Sequence, residues 1–86
     1  MNILAIYDDP NCFDRYSVYY NSVDKVKDGK KFYWVLGMSA NPFHPQGFLQ
    51  HTCGQLGRHN GKRIQLKDLP TDCRKEVLRE LEILNA

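Results

Sequence analysis

The sequence has no long hydrophobic run. Its longest apolar stretches, residues 3–7 and 32–36, reach about a quarter of the roughly 20 residues that cross a bilayer. The N-terminus also lacks the basic flank, apolar stretch and small-residue cleavage site of a secretory signal peptide. We therefore expect a protein without a membrane span that works in the cytoplasm.

The sequence contains only three cysteines, an odd number. Cys12, Cys53 and Cys73 follow no disulfide framework and include no C-x2-C pair, which favours free thiols in a reducing compartment. Zinc prefers thiolate and imidazole ligands, and a cysteine nucleophile needs an imidazole beside the thiolate. The histidines here are His44, His51 and His59. Because their spacing matches the recognised motif of neither kind, we predict no catalytic residue, no metal site and no cofactor.

The charges form no long block of one sign. Twelve basic and ten acidic residues in a chain of 86 give a formal net charge of +2, which is too low to mark a nucleic-acid binder by total charge. The carboxylates of Asp8, Asp9 and Asp14 allow a nuclease interpretation, but residues 8–11 are typical of a turn. A chain of this length builds one modest core, so we expect a single domain over residues 1–86.

The hydrophobic pattern that is present predicts an α+β fold. Residues 2–7, 14–20 and 32–38 have the composition or the period-two alternation of strands, and they follow one another as an antiparallel meander. Polar residues 21–31 separate the last two strands. We expect residues 62–66 to add a fourth strand, and a short helix to form within residues 48–55 of a long loop rich in proline and glycine.

The C-terminal segment predicts an amphipathic helix. From Pro70 onward, Cys73, Val77, Leu81 and Leu84 repeat at helical spacing, and proline suits the first turn because its missing N–H has no partner there. We expect this helix to cover the sheet face that carries Phe32, Trp34 and Leu36. Tyr19 and Tyr33 then lie on the opposite face, either exposed for binding or covering a second small core, and we favour the second core.

A segment rich in proline and glycine separates the sheet from the helix. Two prolines restrict its backbone, so that it presents Phe43, His44, Phe48 and Gln50 together, which suits a preorganised binding surface or a rigid plug at one end of the sheet. The basic residues Arg58, Lys62 and Arg63 follow, beside His59 and two glycines. They are compatible with an anion or nucleic-acid contact, and equally with a solvated turn.

Several short motifs together resemble a family of small proteins of unknown function encoded by phages, prophages and mobile elements. They are Asn41-Pro42-Phe43-His44-Pro45-Gln46-Gly47-Phe48, Gln50-His51, Gly61-Lys62-Arg63-Ile64 and Asp68-Leu69-Pro70. The resemblance implies a setting, a mobile element acting inside a bacterial cell. It implies no reaction and no catalytic residue.

The sequence leads us to predict a small, non-enzymatic binding protein. We expect it to dock on a host or phage macromolecule. The most specific form of this prediction is an inhibitor of a bacterial defence nuclease of the CRISPR or restriction type. We expect the protein to be a monomer or a homodimer. The alternative is a small nucleic-acid-binding module that uses the basic residues from Arg58 to Arg63. The expected contact residues are Phe43, His44, Phe48, Gln50, His51, Arg58, Lys62 and Arg63.

Overall fold

The strands form one antiparallel sheet with a helix packed on one face. The computed structural model describes all 86 residues, and the strand order in the sheet is β4-β3-β2-β1-β5. The elements are β1 (Ile3–Asp8), β2 (Tyr16–Lys27), β3 (Lys30–Met38), β4 (Leu49–Gly54), β5 (Lys62–Ile64) and α1 (Thr71–Leu84), with short 3₁₀ turns at Arg58–Asn60 and Leu66–Asp68. The predicted α+β class, the β1-β2-β3 meander and the C-terminal helix are confirmed. The predicted number of strands, three to four, is wrong, because there are five.

The extra strand is β4, where we predicted a short helix. It pairs with β3 from Met38↔Leu49 to Tyr33↔Gly54. Two hydrogen bonds of 2.9 Å close the base of the preceding loop: Ser39 N–H donates to Phe48 O, and Phe48 N–H donates to the side-chain Oγ of Ser39. Residues 49–54 have only a weak local preference for a strand, so pairing with β3 is what makes them one.

The main core lies between the sheet and α1. It contains Tyr16, Val18 and Tyr20 of β2, Leu36 and Met38 of β3, and Cys73 and Val77 of the helix, all buried. Burying each large apolar side chain contributes about 1.5–3 kcal/mol, so this layer supplies most of the fold's stability. The predicted face is only partly covered, since Trp34 is 42% exposed at the rim and Phe32 is half-buried beside Lys25.

A second, smaller core lies on the opposite face of the sheet. Tyr7 and Tyr19 meet edge to face with ring centroids 5.5 Å apart, and they are buried with Ala5 and Val35. The segment of residues 55–61 covers them, because the Tyr19 hydroxyl lies 3.0 Å from Gln55 O and 2.8 Å from Asn60 Oδ1. The favoured interpretation of Tyr19 as a core residue is thus correct, and Tyr33 packs against the same cluster while remaining partly exposed.

The polar stretch of residues 21–31 is not a separator between strands. β2 continues through Lys27, a two-residue turn follows at Asp28-Gly29, and β3 begins at Lys30. Both turn residues have positive φ angles, 54° and 75°, the geometry of the tight turn that matches the twist of a hairpin. The two longest strands therefore form one extended hairpin.

Candidate functional site

The structure divides the predicted contact residues among three places. Phe43 and His44 lie in the loop between β3 and β4, with Phe48 at its base. Gln50 and His51 lie on β4, at one edge of the sheet. Arg58, Lys62 and Arg63 lie in and before β5, at the opposite edge. No single surface contains all eight.

The loop of residues 41–47 is a double turn that presents an aromatic ring to solvent. His44 N–H donates to Asn41 O at 3.2 Å, and Gly47 N–H donates to His44 O at 2.7 Å. A Cβ at Gly47 would lie only 1.9 Å from Asn41 O, so this tight closure requires glycine. Phe43 is 58% exposed and His44 is exposed beside it. The loop is therefore a rigid platform for these two side chains.

Phe48 packs against a residue that the sequence did not single out. Its ring meets that of Phe13 edge to face, with centroids 5.5 Å apart. Phe13 is 68% exposed and precedes β2, so it comes from a distant part of the chain. The pair enlarges the apolar surface at this end of the sheet, but Phe48 itself is half-buried and serves partly as packing.

The outer side of β4 has no strand partner, because β4 is terminal in the sheet. Its residues are half-buried or exposed, and Gln50, His51 and Thr52 at its centre are exposed. An edge strand presents unpaired backbone N–H and C=O groups and is a ready template for another chain. Here the edge is six residues long and lacks both lysine and proline, which are the usual protection.

A groove of about 300 Å³ lies between β4 and the C-terminal part of α1. Its apolar wall contains Met1, Trp34, Ile83 and Leu84, each of which is exposed. The sequence pattern placed Leu84 on the packed stripe of the helix and gave no signal for Ile83. Because the wall combines both ends of the chain with β3, only the tertiary fold reveals it.

A polar cluster closes one side of this groove. His51 Nε2 lies 2.8 Å from Glu80 Oε2, and the Tyr20 hydroxyl donates to the other Glu80 oxygen at 3.3 Å. Burial raises the pKa of Tyr20, and the charge of Glu80 raises it further, so the phenol stays protonated and able to donate. Nearby, buried Glu76 is paired with Arg79. The groove thus has apolar sides and a fixed polar end.

The basic residues form a separate, open pocket at the β5 edge. Arg58, Lys62 and Arg63 line it together with Tyr7 and two glycines, around about 510 Å³ of open space. Arg63 donates to Leu4 O at 3.1 Å, and none of the three basic side chains is paired with an acid. Gly61 is required here, since its φ is +106° and an added Cβ would lie 2.4 Å from Asp8 O.

The remaining chemistry of the chain is sparse. No group of three His, Cys, Asp or Glu side chains is placed to hold a metal ion, and all three cysteines are free. A hydrogen bond to Asp9 raises the pKa of Cys12, and burial raises that of Cys73 to about 11. Raised pKa values disfavour the reactive thiolate. Cys73 packs in the core as its place in the helix pattern predicted.

No known protein family, curated protein or solved structure matches this chain. The resemblance to small phage and prophage proteins therefore rests on the sequence motifs alone. None of the helices is both long and apolar enough to cross a membrane.

Proposed function

We propose that this chain is a non-enzymatic binding protein that docks on a macromolecule, most directly a protein, in the bacterial cytoplasm. The observation that carries the proposal is the unprotected edge of β4, flanked on one side by the groove and at one end by exposed Phe43. Here "the β4 surface" means these three features together. Gln50 and His51 belong to it, whereas Arg58, Lys62 and Arg63 do not.

Strand addition is the binding mode that this surface suits. An extended segment of a partner can pair with the free backbone groups of β4, and these bonds supply affinity. Alternate side chains of such a segment point to one face of the sheet, so one of them reaches the groove. A volume of about 300 Å³ accommodates one large apolar side chain, and this side chain supplies specificity.

The rigidity of the surface favours binding. The loop that carries Phe43 is closed by its own hydrogen bonds, and β4 is joined to the helix through His51 and Glu80. Because these groups are ordered before binding, less conformational entropy is lost on association. Aromatic residues such as the exposed Phe43 and Trp34 are also enriched in interfaces, and tryptophan is among the residue types that dominate their hot spots.

The more specific hypothesis is inhibition of a host defence nuclease. It rests on the motif resemblance to phage and prophage proteins and on the small size of the chain, and fold alone does not determine function. A bound inhibitor of this kind blocks its target by occupying a functional surface, which requires no catalytic group. The target is expected to offer an extended segment or an exposed strand edge.

Affinity capture from a bacterial lysate, followed by reconstitution with each purified captured protein, tests the proposal. Trp34→Ala with Ile83→Ser alters the groove, while Leu78→Ser changes a similarly exposed apolar residue of α1 that does not line it. We expect the groove variant to weaken the reconstituted complex at least tenfold and Leu78→Ser to leave it within about twofold. Equal affinity of all three proteins, or failure to reconstitute any complex, would contradict the proposal.

The nuclease hypothesis has its own test. Each reconstituted target that is a nuclease is assayed for DNA cleavage with and without the chain. Inhibition by the wild type and by Leu78→Ser, but not by the groove variant, supports the hypothesis. A captured partner with no connection to defence refutes this hypothesis while leaving the broader proposal intact.

A second candidate is nucleic-acid binding through the pocket at the β5 edge. It is favoured by three basic side chains, Arg58, Lys62 and Arg63, that lie together without an acidic partner. Binding of this kind weakens steeply as salt rises, because phosphate contacts release counterions. An affinity that is independent of salt, or unaffected by Arg58→Gln with Arg63→Gln, excludes this pocket as a phosphate site.

A further inference from the structure

The far end of the β2–β3 hairpin projects beyond the rest of the sheet. On one side, pairing of β1 with β2 begins at Ile3↔Tyr20. On the other, pairing of β4 with β3 ends at Tyr33↔Gly54. Residues 21–32 therefore form a two-stranded ribbon with no neighbouring strand, here called the arm. Its residues are exposed except for Ser22 and Phe32, which are half-buried.

The arm carries the whole net charge of the protein. Its lysines are Lys25, Lys27, Lys30 and Lys31, set against Asp24 and Asp28, so it has an excess of two positive charges. The rest of the chain has eight basic and eight acidic residues and is formally neutral. None of the four lysines takes part in a salt bridge, so their charges are available to a partner.

Two of these lysines oppose each other directly. The tight turn at Asp28-Gly29 fixes the register so that Lys27 pairs with Lys30. Like charges at directly opposed positions destabilise an antiparallel pair, and an isolated two-stranded ribbon is only marginally stable. Lys25 lies on the same face two residues earlier, with its ammonium 5.3 Å from the centre of the Phe32 ring. Local conflicts of this kind are expected at functional sites, and a bound anion would reduce the repulsion between the two ammonium groups.

The strand pairing at the base of the arm is irregular. The register between β2 and β3 shifts between Tyr19 and Val23 and again between Val23 and Lys25. Bulges of this kind bend a strand and increase its twist. Irregular pairing therefore separates the arm from the core, and all but two of its residues are exposed.

We propose that the arm binds duplex DNA by entering the major groove, with its lysines contacting the phosphates on either side. Strands in a sheet are about 4.7–4.9 Å apart, and a two-stranded ribbon fits the roughly 12 Å wide major groove of B-DNA. The deep, narrow major groove of A-form RNA does not admit side chains in this way. Lysine ammonium groups act as point charges toward phosphate, so the contact is independent of sequence.

The arm and the β4 surface are separate sites, and either can exist without the other. If both operate, the protein contacts DNA and a protein partner at the same time. The arm is also distinct from the basic pocket at the β5 edge. β5 pairs with the Tyr7 and Asp8 end of β1, and this end lies away from Ile3, beside which the arm begins.

Fluorescence anisotropy with a labelled DNA duplex of about 20 base pairs tests the proposal, in salt from 50 to 200 mM. The arm variant is Lys25→Gln, Lys27→Gln and Lys30→Gln. The control is Lys67→Gln, Arg74→Gln and Lys75→Gln, which removes the same charge from residues that lie in neither the arm nor the basic pocket. Both variants have the same formal net charge, so a difference between them reports the position of the lysines and not the total charge.

We expect the arm variant to lose at least tenfold in affinity at the lowest salt. We also expect the slope of log affinity against log salt to become shallower by about 2–3 for this variant, roughly one for each phosphate contact removed. The control is expected to stay within about threefold of the wild type. No binding of the wild type at 50 mM salt, or equal losses in the two variants, would overturn the proposal.

Two further measurements test entry into the major groove and cover the case in which the arm variant does not fold. A duplex RNA of the same length is expected to bind at least tenfold more weakly than DNA, and equal binding contradicts entry into the major groove. If the arm variant unfolds, NMR titration of the wild type with the DNA duplex decides the matter. Amide shifts concentrated in residues 21–32 support the proposal, and shifts concentrated in residues 57–63 refute it in favour of the basic pocket.

Discussion

His51 on the outer strand and Glu80 on the helix are joined by a 2.8 Å contact between Nε2 and a carboxylate oxygen. Glu80 is almost fully buried, whereas about half of the His51 side chain is exposed. The contact therefore ties the free edge of the sheet to the helix at the mouth of the groove. Because Tyr20 donates to the same carboxylate, Glu80 is held from both sides and the groove keeps its shape.

Removing this imidazole should loosen the β4 edge. We expect His51→Ala to lower the free energy of unfolding by about 1 kcal/mol, since it removes one of the two partners of a buried carboxylate. The expected loss of stability is small for a buried carboxylate, because His51 is half-exposed and solvent replaces part of the lost interaction. Urea unfolding measures it. Gln50→Ala, on the same strand, is the control and should change stability by less than about 0.5 kcal/mol. Equal stability of His51→Ala and the wild type would contradict a structural role for the contact.

Alkaline pH should destabilise the protein through Cys73. Its pKa rises from an ordinary 9.0 to about 11 on folding, mainly because the thiol is buried. Between these values the unfolded chain releases a proton that the folded chain keeps, so unfolding becomes easier as pH rises. The stability due to this shift is fully present below pH 9 and lost by about pH 11.

Comparing the wild type with Cys73→Ala separates the pH dependence of stability that is due to Cys73 from the part that is due to the tyrosines. The full pKa difference corresponds to about 3 kcal/mol, and most of it is lost by pH 11. The wild type should therefore lose about 2 kcal/mol more stability than Cys73→Ala between pH 8 and pH 11. Denaturant unfolding at several pH values measures both proteins. Parallel pH profiles would show that the thiol titrates alike in the folded and unfolded chains.

Asn60 should matter for stability although it lies in a short 3₁₀ turn between two strands. Its side-chain N–H groups donate to Gln55 O at 2.8 Å and Gly57 O at 3.1 Å, and its side-chain oxygen lies 2.8 Å from the Tyr19 hydroxyl. We expect Asn60→Ala to cost about 1–3 kcal/mol, because it leaves partly buried polar groups without partners.

Its neighbour His59 is exposed, and His59→Ala is expected to change stability by less than about 0.5 kcal/mol. Thermal unfolding of both variants decides between a structural and a functional role for this turn. A large loss of stability for His59→Ala with none for Asn60→Ala would reverse the assignment.

Much of the scaffold could be predicted from the sequence. The alternation of Tyr16, Val18 and Tyr20 and the helical spacing of Cys73 and Val77 follow from burial on one face, and all five residues are buried in the main core. Patterns of this kind report local geometry, which is why the predicted positions of β1, β3 and α1 and of the first part of β2 agree closely with the observed ones. The twelve-residue length of β2 was missed, although the Asp28-Gly29 pair is a typical hairpin signal.

The candidate site was much harder to predict. Residues 49–54 have little apolar alternation, so their strand depends on pairing with β3, which no local pattern encodes. The groove joins Met1, Trp34 and Ile83, which are far apart in sequence. Of the eight predicted contact residues, the exposed Phe43, Gln50 and His51 lie at or beside β4, while the basic residues lie at the opposite edge. Sequence alone does not show which exposed residues share a surface.

Hydrogen–deuterium exchange on a reconstituted complex tests docking at β4 most directly. In the free protein the outer amides of Leu49–Gly54 have no strand partner, and a partner segment that adds to this edge should slow their exchange by at least tenfold. The opposite edge, Lys62–Ile64, serves as an internal reference and should exchange as before. Unchanged exchange in β4, with protection confined to another part of the chain, would contradict the account.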